Sequence, residues 1–293
     1  MNYLRWLAAL LFFTSCEKNI DFNLDESKPT LVVEAVIEND KAPNVILTKS
    51  LDYFSQISPA IYESSFVHNA DVYISNGTLT HKLKEYTRPL FLGYNLYYYS
   101  IDSSSLNTAF NGELNHSYSL RVVTDGLEYL SSTTIPALTW FPDSIYFKKA
   151  PQNPDTLKRA LFLKATEPRG LGNYIRYFTS KNSEPFYPGP NSVFTDEIID
   201  GVTYTFRVEP GVNRNIANTG GPDDNFFKVA DTVTLKFCDI DKATYTFWNT
   251  WEFANQSIGN PFAQPNKVIG NISNGALGAF CGYAAWYGTL IAQ

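Results

Sequence analysis

The sequence predicts an all-β fold: two immunoglobulin- or fibronectin-like antiparallel β-sandwich domains, the second with a short amphipathic helix. Three observations point there. Short β-branched and aromatic runs recur every ~8–15 residues, with turn-forming residues between them. Aromatic residues are abundant, with 5 Trp, 19 Tyr and 21 Phe in 293 residues. One segment, 241–257, combines helical spacing with an absence of Gly and Pro. At ~100–200 residues per domain the length fits one large domain or two modest ones. A hydrophobic fraction of 44% is ample for a core and excludes bulk disorder.

Residues 1–15 read as a lipoprotein signal peptide. Arg5 supplies the positive start, and Leu7 to Phe13 is an apolar run too short to span a bilayer, which needs ~20 residues. Thr14 and Ser15 are small and directly precede Cys16, as in a bacterial lipobox, with Phe13 in place of the usual Leu. Cys16 is therefore the expected lipidation site and first mature residue, anchoring the protein to a membrane rather than threading it through one. Residues 16–28 form an acidic tether, with Glu17, Asp21, Asp25 and Glu26 against Lys18 and Lys28. The tether suits either export to the cell surface or a solvated linker facing the periplasm.

The N-terminal β-sandwich is expected over 29–139. Thr30 to Ile37 and Val45 to Thr48 are β-branched runs, and Ser50 to Ser65 is a loop. Asp71 to Leu83 reads as a hairpin around Asn76-Gly77, a pair suited to a two-residue type I′ turn. That register sets Ile74 opposite Leu79 and Asp71 opposite Lys82. Strands follow at Tyr94 to Ile101, Ser117 to Val123 and Leu127 to Ile135, with Tyr118, Leu120 and Val122 on one face.

A boundary is expected near Pro136 to Pro142, and 140–293 forms the C-terminal β-rich domain. Its strands are placed at Asp143 to Lys148, Ala160 to Ala165, Asn173 to Thr179, Thr203 to Val208 and Asp231 to Phe237. Glu184 to Pro190 and Gly211 to Asn225 read as loops. The helix at 241–257 starts on Asp241, a good N-cap, and sets Phe247, Trp251 and Ala254 on one face. Strands return at Val268 to Ile272 and Leu277 to Leu290.

Composition excludes several chemistries. A net charge of −6 opposes nucleic-acid binding. Three His and three Cys make a zinc cluster hard to build, and no metal site is expected. His68, His81 and His116 all fall in the first domain, and no Gly-x-Ser-x-Gly, phosphate loop, His-Glu-x-x-His or Cys-x-x-Cys occurs. The carboxylate groups Asp196-Glu197 with Asp200, and Asp223-Asp224, read as solvated loop residues before acid/base pairs. No catalytic residue is assigned, and the only expected cofactor is the covalent lipid on Cys16. Cys238 lies off the odd-numbered apolar face of Val233, Leu235 and Phe237. Cys238 and Cys281 are thus either a disulfide or two semi-buried thiols. Tyr53, Phe54 and Tyr98 are candidate partner contacts, since neighbouring aromatics on a strand cannot all face one core.

The C-terminal stretch carries a more specific pattern: Ile240-Asp241, Tyr245, Phe247, Gly259-Asn260-Pro261-Phe262, Pro265, Asn271-Ile272, Gly275-Ala276-Leu277-Gly278, Phe280 and Tyr283. With the lipobox, this resembles the Bacteroidota outer-membrane lipoprotein family catalogued as domain of unknown function 4249. Cys281, inside a Phe-Gly-Gly-Tyr-like stretch, departs from the pattern. The resemblance implies a surface lipoprotein of two β-domains that partners a TonB-dependent outer-membrane barrel. It implies architectural roles for Asp241, Gly259, Asn260, Pro261, Phe262, Asn271, Gly275 and Gly278, and carries over no catalytic residue. Three functions follow in order: a non-enzymatic accessory subunit of an outer-membrane β-barrel, a surface glycan- or peptide-binding lipoprotein, and a hydrolase.

Overall fold

The computed structural model describes residues 29–51, 58–90, 93–214, 225–258, 260, 262, 264 and 266–293. The first half contains β1 (Leu31–Glu38), β2 (Asn44–Lys49), α1 (Pro59–Ser64), β3 (Asp71–Ser75), β4 (Thr80–Lys82), β5 (Lys84–Pro89), β6 (Asn95–Ser100), β7 (His116–Thr124) and β8 (Leu127–Ile135). The second contains β9 (Pro142–Lys149), β10 (Lys158–Thr166), β11 (Tyr174–Lys181), β12 (Tyr187–Thr195), β13 (Thr203–Val208), β14 (Phe227–Lys228), β15 (Thr232–Ile240), α2 (Lys242–Gln256) and β16 (Leu277–Ile291).

The protein is mostly β, as expected, and its strands form sandwiches. One eight-stranded sheet runs β12-β11-β15-β16-β1-β2-β6-β5. A sheet ordered β4-β3-β7-β8 packs on its β1 and β2 side, burying Val33, Ile37, Leu47, Ile74, Leu120 and Ile135. A sheet of β13-β10-β14, with β9 also on β10, packs on its β11 and β15 side around Trp140, Leu161, Leu163, Phe227 and Phe237. Each such side chain contributes ~1.5–3 kcal/mol when fully buried.

The expected boundary at 139/140 does not separate two closed domains. β16 lies at the centre of the large sheet, antiparallel to β15 on one side and parallel to β1 on the other. Phe280 and Ala284 of β16 enter the first core, while Trp286 and Leu290 pack on the second. One strand therefore belongs to both sandwiches. The parallel β1–β16 pair also departs from a wholly antiparallel arrangement.

The hairpin forms, but its register differs. Tyr73 pairs with Lys82, Ile74 with His81 and Ser75 with Thr80, leaving residues 76–79 as the loop. Local side-chain bonds set this loop. Asn76 Oδ1 accepts from the backbone N–H of Thr78 at 3.1 Å and of Leu79 at 2.8 Å, and Ser75 Oγ donates to Leu79 O at 2.8 Å. Gly77 takes φ +86°, whereas Asn76 has no positive φ, so the type I′ turn is not made. The shift is even, so the buried faces are unchanged. Lys82 still pairs with Asp71 at 2.6 Å, now diagonally. Tyr118, Leu120 and Val122 share the core face as expected.

Three further segments differ. Residues 59–64, expected in a loop, form α1, with Pro59 in its first turn and Ser58 Oγ accepting from Ile61 N. Pro188 and Pro190, expected in a loop, lie on β12, an edge strand where missing N–H groups are tolerated. Val268 to Ile272 is no strand. There Asn271 replaces strand pairing with its side chain: Oδ1 accepts from Phe280 N and Nδ2 donates to Phe280 O, each at 2.8 Å.

Candidate functional site

The sandwich cores use one face of the large sheet. The opposite face is covered in part by α2, whose start is fixed by Asp241. Its Oδ1 accepts from Thr244 N at 2.7 Å, as an N-cap should. Its Oδ2 accepts from Thr133 Oγ1 at 2.8 Å and Thr134 N at 2.9 Å, tying the helix to β8. The helix packs Phe247, Trp248 and Trp251 over Cys238, Cys281 and Tyr283 of the sheet.

Beside the helix is a cleft of about 520 Å³. Its floor includes Glu34 and Val36 of β1, Arg176 and Phe178 of β11, and Lys236 of β15. Trp248 and Trp251 wall one side, and Phe186, Tyr187 and Arg214 are among the residues lining it elsewhere. The volume falls within the ~300–1,000 Å³ of small-molecule sites, as does the mixture of aromatic walls and few charges.

Three acids, Glu34, Glu38 and Glu252, and four bases, Lys41, Arg176, Arg214 and Lys236, meet on this side of the sheet. Glu38 is closed off: Lys236 and Tyr287 donate to its two oxygens, and Lys41 lies 2.7 Å away. Burial raises the Glu38 pKa, but the charge and hydrogen bonds of Lys236, with those of Lys41 and Tyr287, hold it below the usual value. Glu252 accepts from Ser192 N at 2.9 Å and from Ser192 Oγ, with Arg214 3.7 Å away. Arg214 also donates to Gly189 O and Pro190 O. Tyr177 and Tyr283 are pushed up by burial.

Arg176 and Glu34 remain. Arg176 is 2% exposed, yet it touches no carboxylate among the described residues. Its Nε donates to Ser192 Oγ at 3.1 Å and its Nη1 to Tyr283 OH at 2.9 Å, both neutral. Its guanidinium lies 3.4 Å from the Trp248 ring centroid and 4.7 Å from that of Phe178. Glu34 opens into the cleft and accepts no hydrogen bond from a described residue. The surrounding walls desolvate it and raise its pKa, which the charge of Arg176 partly offsets.

Most of the sequence-predicted site residues lie outside this cleft, but Gly278 and Cys281 line it. Cys238 is buried beside it in the sheet. The two cysteines are free thiols. Cys238 pairs with Ala285, four residues from Cys281 along β16, a separation of ~13 Å at ~3.3 Å per residue, beyond disulfide reach of ~7 Å. Cys238 does leave the odd-numbered core face, but that other face is itself covered by α2. Burial pushes the Cys238 thiol up to about 12 and the Cys281 thiol up to about 11. Gly278 lies against Val33 O of β1, and Gly275 makes the preceding bend with φ +75°. Asn260 and Phe262 follow α2 on the surface. Tyr98 is half-buried on β6 and stacks on Tyr86. Cys16, Tyr53, Phe54, Gly259, Pro261, Asp223 and Asp224 lie outside the described residues. Asp196 is 1% exposed and its carboxylate accepts from Asn173 N, a structural use.

Glu34, Arg176, Lys236 and Arg214 went unnoticed in the sequence. The signal was available: each of the first three is a lone charge inside an apolar strand run, in LVVEAVI, YIRYF and VTLKF.

No curated protein matches the chain. Residues 17–286, nearly the whole chain including α2 and most of β16, match the family described as domain of unknown function (DUF4249), and the chain belongs to that family.

Proposed function

We propose that the protein is a non-enzymatic surface lipoprotein serving as an accessory subunit of an outer-membrane β-barrel, in TonB-dependent uptake or in the machinery of that membrane. The run Thr14-Ser15-Cys16 behind a short apolar stretch carries this reading. Acyl chains on Cys16, at ~0.8 kcal/mol per buried methylene, make attachment durable once two or more are present. Residues 17–28 reach at most ~40 Å when extended. The fold is then held within that distance of the bilayer, where a membrane partner acts at high effective concentration. Purification from native membranes in mild detergent should recover a barrel in stoichiometric amount, and Cys16→Ala should release the protein from the membrane fraction. Recovery of the lipoprotein alone overturns the barrel partnership.

A second reading, a surface protein that binds peptides or glycans, is favoured by the cleft beside α2, with its aromatic walls and lone Glu34 and Arg176 charges. The two readings are compatible, since an accessory subunit can also hold cargo.

A further inference from the structure

We infer that the cleft beside α2 is a binding site for a small zwitterion of the amino-acid or short-peptide class, its ammonium group held by Glu34 and its carboxylate by Arg176. The inference rests on the binding reading above and adds the ligand's chemistry.

The charge pairing of the cleft points to this class. Two of the three acid–base sets are closed within the protein, Glu38 with Lys236 and Glu252 with Ser192 and Arg214. The third is open: Glu34 and Arg176 share the floor of the same cleft without reaching ion-pair distance. A ligand with one cation and one anion closes both ends at once. A simple anion would satisfy Arg176 and leave Glu34 repelling it, and a simple cation would do the reverse. A neutral sugar would satisfy neither charge.

The walls fit the rest of such a ligand. Trp248 stacks on the Arg176 guanidinium, which fixes the fork and leaves fewer rotamers to freeze on binding. Ser192 Oγ and Tyr283 OH hold two of its N–H groups, orienting the fork further. Trp251, Phe178 and Phe186 provide apolar surface for an aromatic or aliphatic side chain. Glu34 is exposed within the cleft, so a ligand's ammonium group can reach it. Volume leaves room for more than one residue.

The test is calorimetric titration of the purified full-length protein with the dipeptide phenylalanyl-phenylalanine, its N-acetyl form and its C-terminal amide. The free dipeptide should bind, and each blocked form should bind at least tenfold more weakly. Glu34→Gln, an exposed and isosteric change, should remove the preference for the free amine while keeping the preference for the carboxylate. Because Arg176→Met endangers folding, the amide carries the test of the carboxylate end. Equal binding of free and blocked forms, or an intact amine preference in Glu34→Gln, overturns the inference. A digalacturonate or neutral oligosaccharide that binds where the dipeptide does not would leave the binding reading standing and overturn the ligand class. Silence of all probes at millimolar concentration overturns both.

Discussion

Replacing Asp241 with Ala should destabilise the protein by about 3–7 kcal/mol, because one carboxylate serves both the helix and the first sandwich. Its Oδ1 caps α2 through Thr244 N, and losing such a cap costs ~1 kcal/mol. Its Oδ2 takes Thr134 N and Thr133 Oγ1, and Thr133 is 3% exposed. Removing the acceptor strands a backbone N–H and a buried hydroxyl, each costing ~1–3 kcal/mol. Asp241→Asn keeps a good cap but offers one oxygen and one amide where two oxygens stood. A donor then faces Thr134 N, and the expected cost is ~2 kcal/mol. Urea unfolding followed by tryptophan fluorescence and far-ultraviolet circular dichroism measures both. A cycle with Thr133→Val should give a coupling energy of ~1 kcal/mol or more between the two side chains. If Asp241→Ala costs less than ~1 kcal/mol and the cycle shows no coupling, the carboxylate does not join the helix to β8 as described.

Three other outcomes are expected. Ellman titration should find no reactive thiol in the native protein and should find both Cys238 and Cys281 on denaturation, with no mass change on reduction; a bridged pair would contradict the β15–β16 register. Gly278→Ala should cost ~3 kcal/mol or more, since its Cβ would lie 2.0 Å from Val33 O at φ +93°, and a denaturation midpoint near wild type would refute the tight β1–β16 approach. Burial pushes the Asp239 carboxyl up to about 6 from 3.8, against the backbone N–H groups of Thr139 and Trp140 and the Thr139 hydroxyl. A raised folded-state pKa means that its contribution is fully present below pH ~4 and is lost as pH rises through ~6, about 3 kcal/mol in all at ~1.4 kcal/mol per unit. The stability difference between wild type and Asp239→Asn, measured by urea unfolding from pH 4 to 7, should follow that slope, and a flat difference would refute it.

Period-two alternation made much of the first half legible, since β7 and β8 bury one face and expose the other. The helix was legible for the same kind of reason: its N-cap, aromatic face and Gly- and Pro-free run all agree. The hairpin was legible in place but not in register, because Asn76 bonds its own loop instead of adopting positive φ. The partners of β16 were not legible. Residues 279–285 are buried on both faces, so alternation vanishes, and the strand pairs in parallel with β1 across most of the chain. With β16 hidden at the centre of the sheet, the expected domain boundary was misplaced, and the sequence could not decide between a disulfide and two thiols at Cys238 and Cys281.

The same two-sided burial governs where chemistry can reside. In an open sandwich, the outer face of a sheet meets water, and a charge there is screened and cheap. Here α2, the start of β12 and the segment 212–214 cover part of that outer face, so several positions that alternation reads as solvent-facing are covered. Charges left there need partners, and Lys236 with Glu38 shows how the fold supplies them. A sequence selected only for stability would place an apolar residue at 176, because well-packed hydrophobic replacements for buried ions are often neutral or stabilising. Leaving Arg176 without a carboxylate under an aromatic wall sacrifices stability in the empty protein. On the proposal above, a ligand of matching charge recovers that free energy, and Glu34, which is exposed within the cleft, is the residue whose substitution should alter binding without dismantling the sheet.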